Sequence, residues 1–189
     1  LSAIRKHYIS TLGADEVTSE ILAWSKENNK PFYDVISENT DYTKAVFGIE
    51  RGGEKPRKEL VKWDESPSYA AYFYDKLWDR NRDFEDILPT DEMICILEEY
   101  KKIYKADLAA EDWFPEVREM SERMGYAKAP KLYKKNPDDF KGHVGQVSSV
   151  IRVAVTGRKN SPDLYQIMQV LGYDEVMKRF NESIELLKK

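Results

Sequence analysis

The sequence predicts an all-α fold, a helical bundle of two packed subdomains. Three observations carry that prediction. Nearly every apolar segment repeats with a period near that of an α-helix. Most of these segments stop at Gly or start at Pro or a small polar residue. The one stretch with strand-like alternation, Val150 to Thr156, becomes a helical stripe when the window is extended backward.

The first helix takes Leu1, Ile4, Tyr8 and Leu12 and stops at Gly13, and the second takes Val17, Ile21 and Trp24 and stops before Pro31. Phe32, Val35 and Ile36 make a third, and Tyr42, Ala45, Val46 and Ile49 a fourth. Ser66-Pro67 reads as an N-cap followed by Pro at the first helical position, with Tyr69, Phe73 and Leu77 behind it. Met93, Leu97, Tyr100 and Tyr104 follow Pro89-Thr90-Asp91, and Trp113, Val117, Met120 and Met124 run to Gly125. Val144, Val147, Val150, Ile151, Ala154 and Val155 share one stripe, from which only Val153 departs, and Gly157 is the left-handed stop. Ser161-Pro162-Asp163 restarts a helix with Leu164, Ile167, Met168 and Leu171; beyond Gly172, Val176, Phe180, Ile184 and Leu187 make the last. Gly48 to Arg57 and Lys128 to Gly142 are the two loop-like, basic stretches. The division into subdomains is placed at 1–110 and 111–189. No fixed-period repeat points to a solenoid.

The chain has 189 residues, 41% of them hydrophobic, enough to bury a core. Its net charge of -4 hides a division. Residues 83–122 carry thirteen Asp/Glu against four Lys/Arg, and residues 128–159 carry eight Lys/Arg against two Asp. Attraction to nucleic acid must therefore come from local patches. The one cysteine, Cys95, reads as a small core residue between apolar neighbours. No apolar run is long enough to span a bilayer and no signal-peptide pattern opens the chain, so the sequence leads us to expect a cytoplasmic protein, away from membranes. Leu1 is not an initiator Met, and the helical spacing already under way there reads as a piece of a longer chain.

No catalytic or metal constellation is legible. His7 and His143 lack metal-site spacing, one Cys cannot build a thiolate site, and neither a phosphate-binding G-x-x-x-x-G-K-[ST] nor a strand-linked G-x-G-x-x-G occurs. Glu98-Glu99 and Glu111-Asp112 read as solvated helix faces. Arg51-Gly52-Gly53 reads as a turn before it reads as an RNA-binding RGG element. Lys55, Arg57, Lys58 and Lys62 lie close together, and the Tyr69, Tyr72, Phe73 and Tyr74 that follow fit core packing better than base stacking. A second basic cluster runs from Lys128 through Lys131, Lys134, Lys135 and Lys141 to Arg152, Arg158 and Lys159. A helical protein-interaction module without RNA binding explains the same charges.

Ile151-Arg152-Val153-Ala154-Val155-Thr156-Gly157, Ser161-Pro162-Asp163-Leu164, Leu171-Gly172 and Arg179, in that order, resemble the C-terminal end of glutamyl-tRNA synthetases. Gly48 to Lys58 and Ala71-Tyr72-Phe73-Tyr74-Asp75 are similar to a longer bacterial form of the enzyme, found in clostridia. Leu1 to Tyr8 is similar to the helix that closes the stem-contact region. The resemblance covers the whole chain. It implies an α-helical cage around the anticodon loop of tRNA-Glu, with tRNA-Gln the second candidate. It also implies that ATP and Mg²⁺ serve a catalytic domain of the same parent chain, preceding this region, so that this chain itself needs no cofactor. His143-Val144-Gly145-Gln146 is not the HIGH signature of that domain: its last position is Gln, and no strand precedes it.

Carried onto this chain, the resemblance makes Arg57 the candidate for reading a base edge and Lys55 and Lys58 its phosphate partners. Arg51, Lys134 and Lys135 join them on charge. Arg158 and Lys159 occupy a helix-to-helix corner, where a Ser161 cap would leave N-H groups for an anion. Arg152 fits either an RNA contact or a bridge between two helices.

Overall fold

A computed structural model describes residues 2–53 and 60–189, with side chains from His7 onward. Helices follow one another as α1 (Ser2–Thr11), α2 (Ala14–Asn28), α3 (Lys30–Ile36), α4 (Thr40–Phe47), α5 (Ser66–Ala70), α6 (Thr90–Ile103), α7 (Ala110–Arg123), α8 (Pro130–Lys135), α9 (Val144–Thr156), α10 (Leu164–Leu171) and α11 (Tyr173–Leu187). Short 3-10 turns occupy Trp63–Glu65, Ala71–Phe73 and Pro137–Asp139. Among the described residues there is no strand, so the all-α prediction holds. No described helix is long and apolar enough to cross a membrane.

The chain forms two compact units, Leu1–Asn81 with Pro162–Val170, and Arg82–Ser161 with Leu171–Lys189. The first unit is discontinuous in sequence: it takes in Pro162–Val170 from far down the chain.

In the first unit, α2 packs on α3 and α4 through Val17 and Ile21, and Phe32, Ile36, Val46 and Phe47 are likewise buried. The helix starts have local causes. The Gly13 N-H donates to Glu16 Oε2 at 3.0 Å, and the Asn29 and Asn39 side chains accept from the Phe32 and Tyr42 N-H groups. Tyr72 and Phe73 are buried, Tyr69 stacks on Phe47 with centroids 5.7 Å apart, and the Tyr42 hydroxyl donates to the Phe73 carbonyl. The Tyr74 hydroxyl lies 2.7 Å from Thr43 Oγ1, and burial pushes its pKa up to about 12. These aromatics are packing residues, as the sequence favoured. The single helix expected from Ser66 to Leu77 is instead α5, a 3-10 turn and turns. Ser66 lies inside α5 and is not its cap; Glu65 is the cap residue.

The second unit is built around α9, which α6, α7 and α11 all contact. Enclosure on several sides explains why Val153, outside the predicted stripe, is fully buried with Val150, Ile151, Ala154 and Val155. Tyr100 and Phe180 meet edge-on at 5.5 Å, and Trp113 Nε1 donates to the Tyr100 hydroxyl at 2.8 Å. Cys95 is exposed, contrary to its expected core position. On α6 the buried residues are Met93, Ile96, Leu97 and Tyr100. Position 95 lies two residues from Met93, about 200° around the helix, and so faces water.

Candidate nucleic-acid interface

The basic stretch expected to be a loop, Lys128 to Gly142, is an ordered excursion that contains α8 and a 3-10 turn. Pro130 sits in the first turn of α8, where its missing N-H costs nothing. The excursion closes on itself: the Ala127 N-H donates to the Gly142 carbonyl, Val144 N-H to Ala127, and Lys141 N-H to Gly125, each at 2.9 to 3.0 Å. Glu92 on α6 fastens its end, accepting from Lys141 Nζ at 2.9 Å and from the Tyr126 hydroxyl at 2.5 Å. Those two bonds hold the Glu92 carboxyl below its ordinary range, and Glu92 in turn raises Lys141. Lys141 is thus already paired within the protein. Lys128, Lys131, Lys134 and Lys135 are exposed and form no ion pair among the described residues, with only Asp138 and Asp139 as acids in the same excursion. A cluster of exposed, uncompensated ammonium groups is what a phosphate backbone requires of a protein surface. Tyr133 lies beside His143, ring centroids 5.7 Å apart, where the excursion rejoins α9.

At the other end of α9 the charges turn inward. Gly157 takes φ +77°, the left-handed stop read from the sequence, and its carbonyl accepts from the Asp83 N-H at 3.0 Å. Arg152 donates to the Ser161 hydroxyl, which makes it a bridge from α9 to the corner. Arg158 is half-buried, its N-H bonded to Thr156 Oγ1, and Lys159 is exposed 3.3 Å from Asp83. A surface ion pair of that kind contributes about 1 kcal/mol or less, so Lys159 can exchange Asp83 for a phosphate. Two further arginines serve the last turn. Arg179, 1% exposed, donates to the Val155 carbonyl at 2.7 Å and to Glu175 at 2.9 Å, while Arg82 reaches Glu182 at 2.9 Å. Arg82 stood out in no sequence pattern; its partner lies a hundred positions away in the chain.

The corner does not present an open helix N-terminus. Ser161 is buried against Arg152, and Asp163 is the residue whose Oδ1 accepts from the Gln166 N-H at 2.8 Å. Glu50 Oε2 accepts from the Asp163 N-H at 2.9 Å, so two carboxylates already occupy the start of α10. An incoming anion would meet like charge there, which overturns the expectation that a Ser161 cap leaves donors for phosphate.

Arg51 is also committed. Its guanidinium donates to the carbonyls of Phe47 and Ile9, each at 2.7 Å, joining α4 to the end of α1, and burial lowers its pKa against a smaller opposing effect of Tyr69. Lys55, Arg57 and Lys58 lie outside the described residues. Thus Lys134 and Lys135 form one exposed patch with their neighbours on α8, Arg158 and Lys159 share the corner, and Arg51 and Arg152 are tied into the framework. Among the described residues no group of His, Cys, Asp and Glu is arranged to hold a metal.

The family model for the anticodon binding domain matches residues 57–184, which include α5 to α10, most of α11 and both basic clusters at 128–141 and 152–159. The chain belongs to the anticodon-binding domain family. It is 36% identical over 190 residues to a glutamate-tRNA ligase of Clostridium perfringens strain SM101, covering 98% of this chain and 34% of that protein. The ligase of Clostridium perfringens strain 13 is 37% identical over 183 residues, and that of Sorangium cellulosum 35% identical over 181. The chain spans about a third of the length of these curated relatives. The sequence resemblance to glutamyl-tRNA synthetases and the all-α architecture are thereby borne out. The match begins at residue 57.

Proposed function

We propose that this chain grips the anticodon loop of tRNA-Glu as the recognition part of a glutamate-tRNA ligase. The observation that carries the reading is the anticodon-binding domain at 57–184, together with the unpaired lysines at 128–135. On this reading Arg57 reads a base edge, and Lys55 and Lys58 meet the adjoining phosphates. Lys134, Lys135 and Lys159 steer and position the backbone, and Arg158 borders the corner they approach. The chemistry of ligation, with ATP and Mg²⁺, belongs to the catalytic domain of the parent enzyme, and this chain contributes recognition alone.

Fluorescence anisotropy of labelled tRNA-Glu with the chain, across a salt series, tests the reading. With about five phosphate contacts the log-log slope is about -3 to -4. Absent binding at micromolar protein, or binding indifferent to salt, would overturn it. Arg57→Ala is expected to reduce discrimination among anticodon variants by about 1 to 3 kcal/mol, the usual worth of a bidentate base contact. An equal loss for every variant would mean that Arg57 touches phosphate only.

A further inference from the structure

The first unit holds a cavity of about 320 Å³ at the meeting of α1, α2 and the segment before the Trp63 turn. Its walls include Tyr8, Ile9, Trp24, Val61 and Trp63, with Lys62 at the margin. Three aromatic side chains, Tyr8, Trp24 and Trp63, thus line one opening. Tyr8 is 55% exposed, the most exposed large hydrophobic among the described residues, and Trp24 and Trp63 are half-buried.

Each wall is fixed from behind. Arg51 holds the Ile9 carbonyl at the end of α1. Glu65 Oε2 accepts from the backbone N-H groups of Val61 and Lys62, at 2.8 and 3.2 Å, which sets the segment that carries Trp63. Trp24 stands one turn beyond the buried Ile21 on α2. Backbone that is held in place before binding has little order left to lose on binding. Lys62 forms no ion pair among the described residues, and Asp64 supplies a carboxylate acceptor to the same cavity.

Flat aromatic walls, one cation and one acceptor match the chemistry of a nucleotide: a ring that stacks, a phosphate that pairs with an ammonium, an exocyclic amino group that donates to a carboxylate. We propose that this cavity holds one unpaired base of the bound tRNA, stacked on Tyr8 and Trp63, with its phosphate at Lys62. The inference rests on the RNA-binding reading and extends it, because Tyr8, Ile9 and Trp24 lie before the matched domain at 57–184. The surface that touches RNA then reaches back to the first two helices. Asp64 offers an acceptor to a base edge that presents a donor N-H.

The test uses the whole chain and labelled tRNA-Glu. Tyr8→Ala and Trp63→Ala are each expected to weaken binding by about 5- to 100-fold, the range for losing one stacked base. Because neither residue meets phosphate, the salt slope stays that of the parent chain. Tyr8→Phe, which keeps the ring, recovers most of the affinity. Circular dichroism melting checks that each variant folds; should Trp63→Ala unfold, the exposed Tyr8 pair decides. Failure of the unmodified chain to bind tRNA overturns the RNA-binding reading and this inference together. Normal binding by both alanine variants, or an equal loss in Tyr8→Phe, overturns the stacking site alone.

Discussion

At the scale of single residues, the arginines show how charge in a sequence differs from charge on a surface. Arg152 and Arg179 both belong to the pattern that resembles the synthetases, and both spend their donors on the protein itself. The last carbonyls of a helix have no partners within it, and a guanidinium that satisfies one also complements the negative end of the helix dipole. Arg179 sits in that position with a carboxylate partner and almost no exposure. Replacing it with Met leaves the buried Val155 carbonyl without its donor and Glu175 with Lys178 alone at 3.7 Å, and is expected to lower stability by about 1 to 3 kcal/mol in urea unfolding. Arg179→Lys is expected to recover little, because one ammonium cannot reproduce the fork that spans both acceptors. Sequence spacing identified Arg179 as part of a motif; its task required knowing what lay opposite.

At the scale of elements, α9 organises the second unit and both of its ends are chemical devices. Its first turn is capped by His143, whose Nδ1 accepts from the Gly145 N-H at 3.1 Å while Gln146 Oε1 accepts from the His143 N-H at 3.0 Å. The resemblance to a catalytic signature at His143 to Gln146 is thus a helix start. Burial, and secondarily the ammonium of Lys134, hold the imidazole below its ordinary value of 6.5. An acceptor nitrogen must be unprotonated, and a depressed pKa means that the unfolded chain takes up the proton more readily than the folded one. The capping contribution is therefore complete above pH 6.5 and is lost as pH falls through the folded value. The thermal midpoint is expected to fall more steeply as pH drops below 6.5 in the natural chain than in His143→Asn, whose side chain caps without titrating. Glu92, whose carboxyl is lowered by Lys141 and Tyr126, contributes above the carboxylate range and loses its contribution only in more acid solution. The two windows are separable by pH.

At the scale of the whole molecule, net charge says little and its distribution says much. Residues 83–122 are strongly acidic and residues 128–159 strongly basic, within a chain whose net charge is only -4. The lysines of α8 carry no partner among the described residues, whereas Lys141 and Lys159 each have one. Lys134→Ala and Lys135→Ala are each expected to reduce the salt slope of tRNA binding by about 0.7 and to weaken all anticodon variants alike, measured by anisotropy over a salt series. Lys141→Ala, whose ammonium is already paired with Glu92, is expected to change the salt slope less and to cost little stability, as the loss of a surface ion pair does.

The sequence by itself determined the fold class, the positions of most helices and the family, because helical periodicity, Gly stops and an ordered string of motifs are all properties of neighbours along the chain. It also marked the left-handed turn at Gly157 and the helical character of Val150 to Thr156. Only the tertiary structure decided which of the basic residues face solvent, which residue caps α10, that Cys95 is exposed and that Tyr8, Trp24 and Trp63 share a cavity. Glu50 reaching Asp163 and Arg82 reaching Glu182 join residues more than ninety positions apart. Local pattern records which face of a helix is apolar, but the partner that neutralises a charge or closes a pocket comes from a distant segment, and that pairing exists only after the chain has folded.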